Sequence, residues 1–485
     1  MIKNLVILGG GTSGLVTALL ARQYYSKLRI TLVKSSSIGI IGVGEGSTEH
    51  WSKFAGIVGL SISEILKETG ATLKSGIKFE NWNGDSEFYM HSITSDMVLK
   101  GLNTLSGVYM KIVSEELHHH YLLDRNLIIS RHIEPLESSV FQFHFDTFKL
   151  NDYLLKKCAE RNIDVIDTEI VDVNLSEDGF VTSLVDKDNR IISGDFFIDS
   201  SGFKRVISSK LGAKWQSIQK YLPMNSAIAF PTTEHTDFPS HTISKALSAG
   251  WLWRIPTQER YGNGYVYCDK FISDDDAVKE AQTQYSEKIN VARSFKFDAG
   301  YVDKFWIKNC VSLGLSGSFV EPLEATSIGT SIQQAFSFCE KILTWYPNNE
   351  CVENLYNNEY TDVLSNIVDF IQLHYLTKRN DSEFWKYCKT LPLTPFNEET
   401  LEIFKKTFPT RIYFKKPSLL FVEDNWTMIM HGLGMFDSLS VKKLWDQQDD
   451  VFQQSSSDQM DWLATAHINT PWVTHREAIE TLKAR

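Results

Sequence analysis

Residues Val6–Gly14 read Val-Ile-Leu-Gly-Gly-Gly-Thr-Ser-Gly, and no other stretch constrains the fold as strongly. Gly9, Gly11 and Gly14 form G-x-G-x-x-G between a short apolar run, Leu5–Leu8, and a helix-like run, Leu15–Tyr25. In such a strand–turn–helix unit the first glycine permits the tight turn. The second lets backbone N–H groups approach a pyrophosphate, and the third lets helix and strand pack closely. The phosphate then sits on the helix N-terminus, where unpaired N–H groups and the helix dipole favour negative charge. A second strand, Arg29–Val33, follows at the right distance, so the stretch points to a dinucleotide. An acid normally ends that second strand, about 20 residues on, and binds the ribose. Lys34 stands there instead. This argues against a standard NAD site and is compatible with FAD held mainly through pyrophosphate and isoalloxazine.

The chain has 485 residues, enough for two or three domains or one large two-part fold. Its net charge of −11 argues against nucleic acid as the main partner. Six cysteines (Cys158, Cys268, Cys310, Cys339, Cys351, Cys388) are scattered with no C-x-x-C, and read as buried thiols in a reducing compartment. No apolar run reaches membrane-spanning length. The N-terminus reads as strand and phosphate loop rather than a signal peptide. A soluble cytoplasmic protein with no membrane partner is expected, and a homo-oligomer is compatible with the composition.

Further along, Ile41–Ser47 is a second glycine-rich loop, placed to wrap a ligand or to cross under the first loop. Ser61–Ser75 reads as helical, and Gly76–Trp82 as a strand in which Lys78 faces opposite to Ile77 and Phe79. On pattern alone Lys78 is a solvated strand lysine. Asn151–Glu160 reads as a helix, and Phe196–Phe203 as a buried strand ending in a tight turn. That turn suits a second strand-to-loop contact of an FAD fold, near Asp199 and Gly202. Ile228–Pro231, Gly250–Pro256 and Tyr261–Cys268 read as strands of an antiparallel sheet. Val311–Leu315 is a buried strand running into a loop, Ser316–Thr326, with a helix from about Ser331 to Trp345. From Cys351 the pattern is helical, and Gln453–Gln459 reads as a polar linker-like turn. The run His118-His119-His120 beside Glu115 and Glu116 is not a metal site, because consecutive side chains diverge; no metal is expected. Asp274-Asp275-Asp276 reads as a helix N-terminus.

Four segments together carry a resemblance: the glycine loop, the Lys78 strand, Trp251-Leu252-Trp253-Arg254-Ile255-Pro256, and Phe319-Val320-Glu321-Pro322-Leu323-Glu324-Ala325-Thr326. In order and spacing the chain resembles the flavin-dependent halogenases of the tryptophan-halogenase type. W-x-W-x-I-P is the most specific of the four, separating these enzymes from aromatic hydroxylases of the same FAD fold. The resemblance implies an α/β fold, α+β in part. It consists of an FAD-binding Rossmann-like domain of the aromatic-hydroxylase type, an inserted antiparallel sheet and a mainly helical C-terminal region. The implied boundaries are 1–345 for the FAD module, with the insert at about 80–145 and 215–300, and 346–485 for the helical region covering the substrate.

It also implies a reaction. FADH2 from a separate flavin reductase reacts with oxygen and halide, and the hypohalous acid passes down a tunnel to a lysine beside a small aromatic substrate. By its match that lysine is Lys78, which hydrogen-bonds the oxidant or forms a haloamine; lysine pKa falls readily on burial. Glu324 would stabilise positive charge on the ring and take its proton. The cofactor contacts implied are Gly9, Gly11, Thr12, Ser13, Gly14, Lys34, Gly42, Val43, Gly44, Glu45, Asp199, Gly202, Gly317 and Ile328. Trp251, Trp253 and Pro256 would stand between flavin and substrate; the plainer reading of the tryptophans is a packed aromatic layer sharing one strand face.

Two departures from the family pattern bear on chemistry. The halide site would be the backbone N–H groups of Thr326 and Ser327. Here Ala325-Thr326-Ser327 replaces the usual Ser-Thr-Gly. A left-handed Ser327 would cost roughly 1–2 kcal/mol relative to glycine. A turn reshaped to avoid that cost suits bromide or iodide better than chloride. Ser438–Gln454 lacks the Tyr-Tyr-Glu clamp of members acting on free tryptophan, and offers Lys442, Lys443 and Trp445. An indole or phenol is the expected substrate. An FAD monooxygenase that hydroxylates an aromatic, and a non-catalytic flavin-binding protein, are the competing readings; neither needs Lys78 and Glu324 together.

Overall fold

The computed structural model describes residues 2–40, 44–92, 105–115, 127–128, 142–233, 239–346, 350–416, 418–469 and 473–485. The chain forms two compact units, each assembled from three segments. The first comprises Met1–Ala71, Gln142–Gln219 and Phe297–Leu364; the second comprises Thr72–Phe141, Lys220–Lys296 and Ser365–Arg485.

The first unit is built on a six-stranded sheet. Its order is Trp306–Ile307, Cys310–Ser312, Phe196–Asp199, β1 (Asn4–Leu8), β2 (Arg29–Lys34) and Asp164–Asp167. All neighbours are parallel except the edge strand Trp306–Ile307. Strands in such a sheet are covered on both faces, so they read as continuous apolar runs. Leu5, Val6, Ile7, Leu32, Val33, Phe196, Phe197, Ile198 and Val311 are accordingly buried. Helix α1 (Thr12–Tyr24) connects β1 to β2, burying Leu15, Val16, Ala18, Leu19 and Leu20. Its last turn is closed by Arg22, whose guanidinium donates to the carbonyls of Ser26 (2.9 Å) and Leu28 (2.7 Å).

The helix read over Ser61–Ser75 is shorter, Ile62–Thr69. Ser61 caps its start, and Gly70, left-handed at φ 62°, ends it. The helix read from Asn151 begins earlier, at Thr147. Asp146 accepts from the N–H groups of Phe148 (3.0 Å) and Lys149 (3.2 Å).

The second unit contains a seven-stranded sheet. Its order is Arg293–Lys296, Ser226–Thr232, Tyr261–Tyr267, Gly250–Pro256, Thr242–Ala246, Gly76–Glu80 and Phe88–Ser92. All pairs are antiparallel except Thr242–Ala246 with the Lys78 strand. The acidic run begins the helix Asp274–Gln282, capped by Ser273. That helix buries Ala277 and Ala281 against Ile228, Leu252 and Tyr265 of the sheet. Gln453–Gln459 is not a linker but lies inside the helix Asp450–Asn469. Asp449 accepts from Phe452 N at 2.8 Å at its start, and within it Ser456 and Ser457 satisfy their hydroxyls on carbonyls of the preceding turn. Five of the six cysteines are buried; Cys351 is exposed. The run His118–His120 lies outside the described residues. Among the described residues no helix is long and apolar enough to cross a membrane.

Candidate functional site

The glycine loop forms a cradle in the first unit. Gly9 has φ +127°, and a Cβ there would lie 2.0 Å from the Ser200 carbonyl oxygen; one at Gly14 would lie 2.0 Å from the Gly9 carbonyl oxygen. Both positions are closed by backbone. Gly11 differs. Among the described residues a Cβ there meets no atom within 4 Å, and its φ of −79° is ordinary for any residue. The middle glycine therefore faces open space, at the N-cap of α1, with no side chain capping the first-turn N–H groups. Ser13 Oγ is buried beside it without a hydrogen-bond partner among the described residues. Open space, uncapped N–H groups and an orphaned hydroxyl fit a pyrophosphate. Asn151 steadies the loop by donating to the Gly10 carbonyl at 2.6 Å.

Gly314, which the sequence reading passed over, packs directly on this loop: a Cβ there would lie 2.7 Å from Ser13 Oγ. A glycine inside an apolar run is the signal for such an approach. Among the described residues a Cβ at Gly202 likewise meets no atom within 4 Å. At Gly317, by contrast, a Cβ would meet the Ser312 carbonyl oxygen at 3.0 Å and then the Phe305 ring. Asp199 is buried, and six protein donors take up its carboxylate. They are the N–H groups of Ser201, Ile207 and Ser208 and the hydroxyls of Ser201, Ser208 and Ser316. A carboxylate has about four lone-pair sites, so Asp199 organises the loop rather than offering acceptors to a cofactor. The contact from this strand to the glycine loop comes from Ser200.

Gly42 and Val43 lie outside the described residues. Gly44 donates its N–H to Thr147 Oγ1 at 3.2 Å. Glu45 pairs with Phe145 across a short antiparallel bridge, and desolvation pushes its carboxyl up to about 7.

Glu324, buried, ends a short 3₁₀ turn, Pro322–Glu324. The following helix begins at Thr326, not near Ser331, and runs to Ser337. Thr326 and Ser327 are thus the first residues of a helix rather than a turn. The left-handed residue is Ala325 (φ 54°, ψ 36°), so the strain assigned to Ser327 is absent from it. Alanine makes no side-chain cap, which leaves the N–H groups of Thr326, Ser327 and Ile328 at an uncapped positive helix end. Ile328 itself is buried, and Gly329 packs against Thr48. Ala325→Gly is expected to raise the midpoint of urea unfolding, since glycine relieves roughly 1 kcal/mol of left-handed strain. Ser327→Gly is expected to lower it, as glycine does within a helix.

In the second unit, Lys78 and Glu80 lie on one face of their strand, opposite Met90 and Phe88 respectively. Lys78 is half-buried. Its Nζ lies 4.0 Å from the Phe88 ring centroid and 3.8 Å from Glu80 Oε1. Residues directly opposite across a ladder share a face, and the register places Ile243 and Lys245 beside them. All six of these side chains are half-buried rather than closed over.

Trp251 and Trp253 share the other face, with Phe79 and Ser244. Both are buried, with ring centroids 6.2 Å apart. Trp253 rests on Gly264 of the adjoining strand, where a Cβ would lie 2.0 Å from its ring. The structure therefore brings the tryptophans together and puts Lys78 on the opposite side of the same sheet. Pro256 ends their strand, its carbonyl accepting from Thr72 Oγ1 at 2.8 Å. In Ser438–Gln454, Trp445 is core, packed with Tyr109, Val113 and Phe408, and Lys442 pairs with Asp446 on the surface.

A glycine loop between the first strand and first helix of a parallel sheet is the arrangement of an α/β dinucleotide-binding protein. The sequence matches the tryptophan halogenase family over residues 4–450. It is 28% identical over 446 residues to tryptophan 6-halogenase SttH of Streptomyces toxytricini, covering 84% of each chain. It is 26% identical over 440 residues to tryptophan 7-halogenase RebH of Lentzea aerocolonigenes, covering 83% of this chain and 82% of that one. Among solved structures it is similar to BrvH, a flavin-dependent halogenase from Brevundimonas sp. BAL3 (TM-score 0.83, 27% identity, 99% of each chain). The chain belongs to the tryptophan halogenase family, whose enzymes use FADH2 and halide.

Proposed function

We propose that this enzyme halogenates an indole- or phenol-type aromatic and that Lys78 presents the electrophilic halogen. The observation that carries this reading is the setting of Lys78: a half-buried ammonium held between the Phe88 ring and the Glu80 carboxylate, on a sheet face left partly open. Bound reduced flavin supplies, with oxygen and halide, the hypohalous acid that travels to this lysine. Lys78 donates a hydrogen bond to the oxygen of the acid, or takes the halogen on its nitrogen, and so aims it. The ring carbon gains the halogen, the oxygen leaves as water, and a base takes the ring proton. Glu80→Gln keeps the shape and removes the charge. It is expected to lower halogenated product about fivefold while flavin oxidation is unchanged, the scale of one partly exposed ion pair.

The halide seat in this reading is the uncapped helix end at Thr326 and Ser327. With no strain at Ser327, halide preference follows the anions themselves. Bromide and iodide shed water and are oxidised more readily than chloride, so they are the preferred halides, and Ser327→Gly leaves the ratio unchanged. A separate reductase supplies FADH2.

The substrate reading rests on the C-terminal segment, where Trp445 is core and no tyrosine clamp stands. SttH and RebH are named for tryptophan. This enzyme is expected to turn over indoles or phenols faster than free tryptophan when the three are supplied together with bromide. Faster bromination of free tryptophan contradicts the assignment.

A further inference from the structure

The ribose-binding acid missing from the end of β2 has a counterpart on the next strand. Asp164–Asp167 runs parallel to β2, and its register sets Asp167 beside Lys34. Lys34 Nζ donates to Asp167 Oδ2 at 2.7 Å and to Ser36 Oγ at 2.6 Å. Ser36 closes the arrangement, its hydroxyl donating to Oδ2 and its N–H to Oδ1 at 2.9 Å. These bonds hold the carboxylate well below the usual aspartate range, the Lys34 ammonium contributing most. The pair sits at the carboxyl end of the parallel sheet, where ligands of such sheets bind. It also touches the glycine loop, since a Cβ on Gly10 would lie 2.5 Å from Lys34 Cβ.

We propose that Asp167 takes the place of the missing acid, and that Lys34 and Asp167 together seat the adenosine ribose of FAD. The inference rests on the reading of the glycine loop as an FAD cradle. Its chemistry follows from unused valences. An ammonium has three N–H donors, and among the described residues Lys34 spends two. Among the described residues Oδ1 of Asp167 accepts one hydrogen bond, which leaves it a lone pair. A vicinal diol matches this pattern, one hydroxyl donating to Oδ1 while the other accepts from Nζ. A lone acid would accept from both hydroxyls and bring a net negative charge towards the pyrophosphate. The ion pair avoids that repulsion, which gives a physical reason for lysine at this position.

The test is fluorescence titration of the purified full-length protein with FAD and, separately, with FMN, which lacks the adenosine. Asp167→Ala is expected to weaken FAD binding roughly tenfold, the loss of a charge-assisted hydrogen bond, and to leave FMN binding within about twofold. Lys34→Ala should weaken FAD in the same direction. Asp167→Asn, which keeps an acceptor oxygen, should fall between wild type and Asp167→Ala and guards against loss of fold in the alanine variant. FAD affinity unchanged in all three variants, with a lowered unfolding midpoint, overturns the proposal and makes the pair a staple between two strands. Wild-type protein that binds FAD no better than FMN would instead overturn the cradle reading, and the proposal with it.

Discussion

Lys78→Ala is expected to reduce halogenation of the aromatic by at least about a hundredfold, the scale at which a positioned proton donor or nucleophile contributes to rate. Flavin oxidation and hypohalous acid formation should stay at wild-type levels, because they require nothing from the Lys78 face of the sheet. A small scavenger that traps hypohalite separates the two steps. The substitution removes a half-buried side chain from a strand paired on both sides, so the strand itself should survive. Near-normal product from this variant would remove Lys78 from the mechanism.

The second large effect lies at the glycine loop. Gly11→Val should abolish FAD binding while thermal unfolding of the protein without cofactor stays close to wild type. The argument is geometric. Among the described residues no atom lies within 4 Å of a Cβ at Gly11, and its backbone is ordinary, so valine fits the fold and occupies the space a pyrophosphate needs. Gly9→Ala and Gly14→Ala supply the contrast. Their Cβ atoms would each meet a carbonyl oxygen at 2.0 Å, so both should destabilise the fold itself. FAD affinity in Gly11→Val equal to wild type would displace the cofactor from this loop.

Local chemistry made parts of this protein readable in advance. The glycine spacing marked the strand–turn–helix unit at Asn4–Tyr24, and strict alternation set Lys78 apart from Ile77 and Phe79. What the chain does not announce is cross-strand register. That Lys78 and the tryptophan pair occupy opposite faces follows from the pairing of Ser244 with both Trp253 and Phe79. No local pattern carries that information. The Lys34–Asp167 pair likewise joins residues 133 apart in sequence through parallel pairing. The helix at Thr326 was missed because its N-cap is a left-handed alanine, which lacks every usual start signal. Gly264 was legible in principle: a glycine within the Tyr261–Tyr267 strand marks a close approach, here by the Trp253 ring.

The central claim is that the oxidant made at the flavin reaches an aromatic carbon as halogen. The most direct measurement supplies the enzyme with FAD, a flavin reductase, NADH, bromide and a mixture of indoles and phenols, and reads product masses. Incorporation of bromine, seen as its isotope doublet and lost in Lys78→Ala, is the expected result. Product that gains a single oxygen and no bromine, undiminished in Lys78→Ala, would contradict the account and make the enzyme an aromatic monooxygenase.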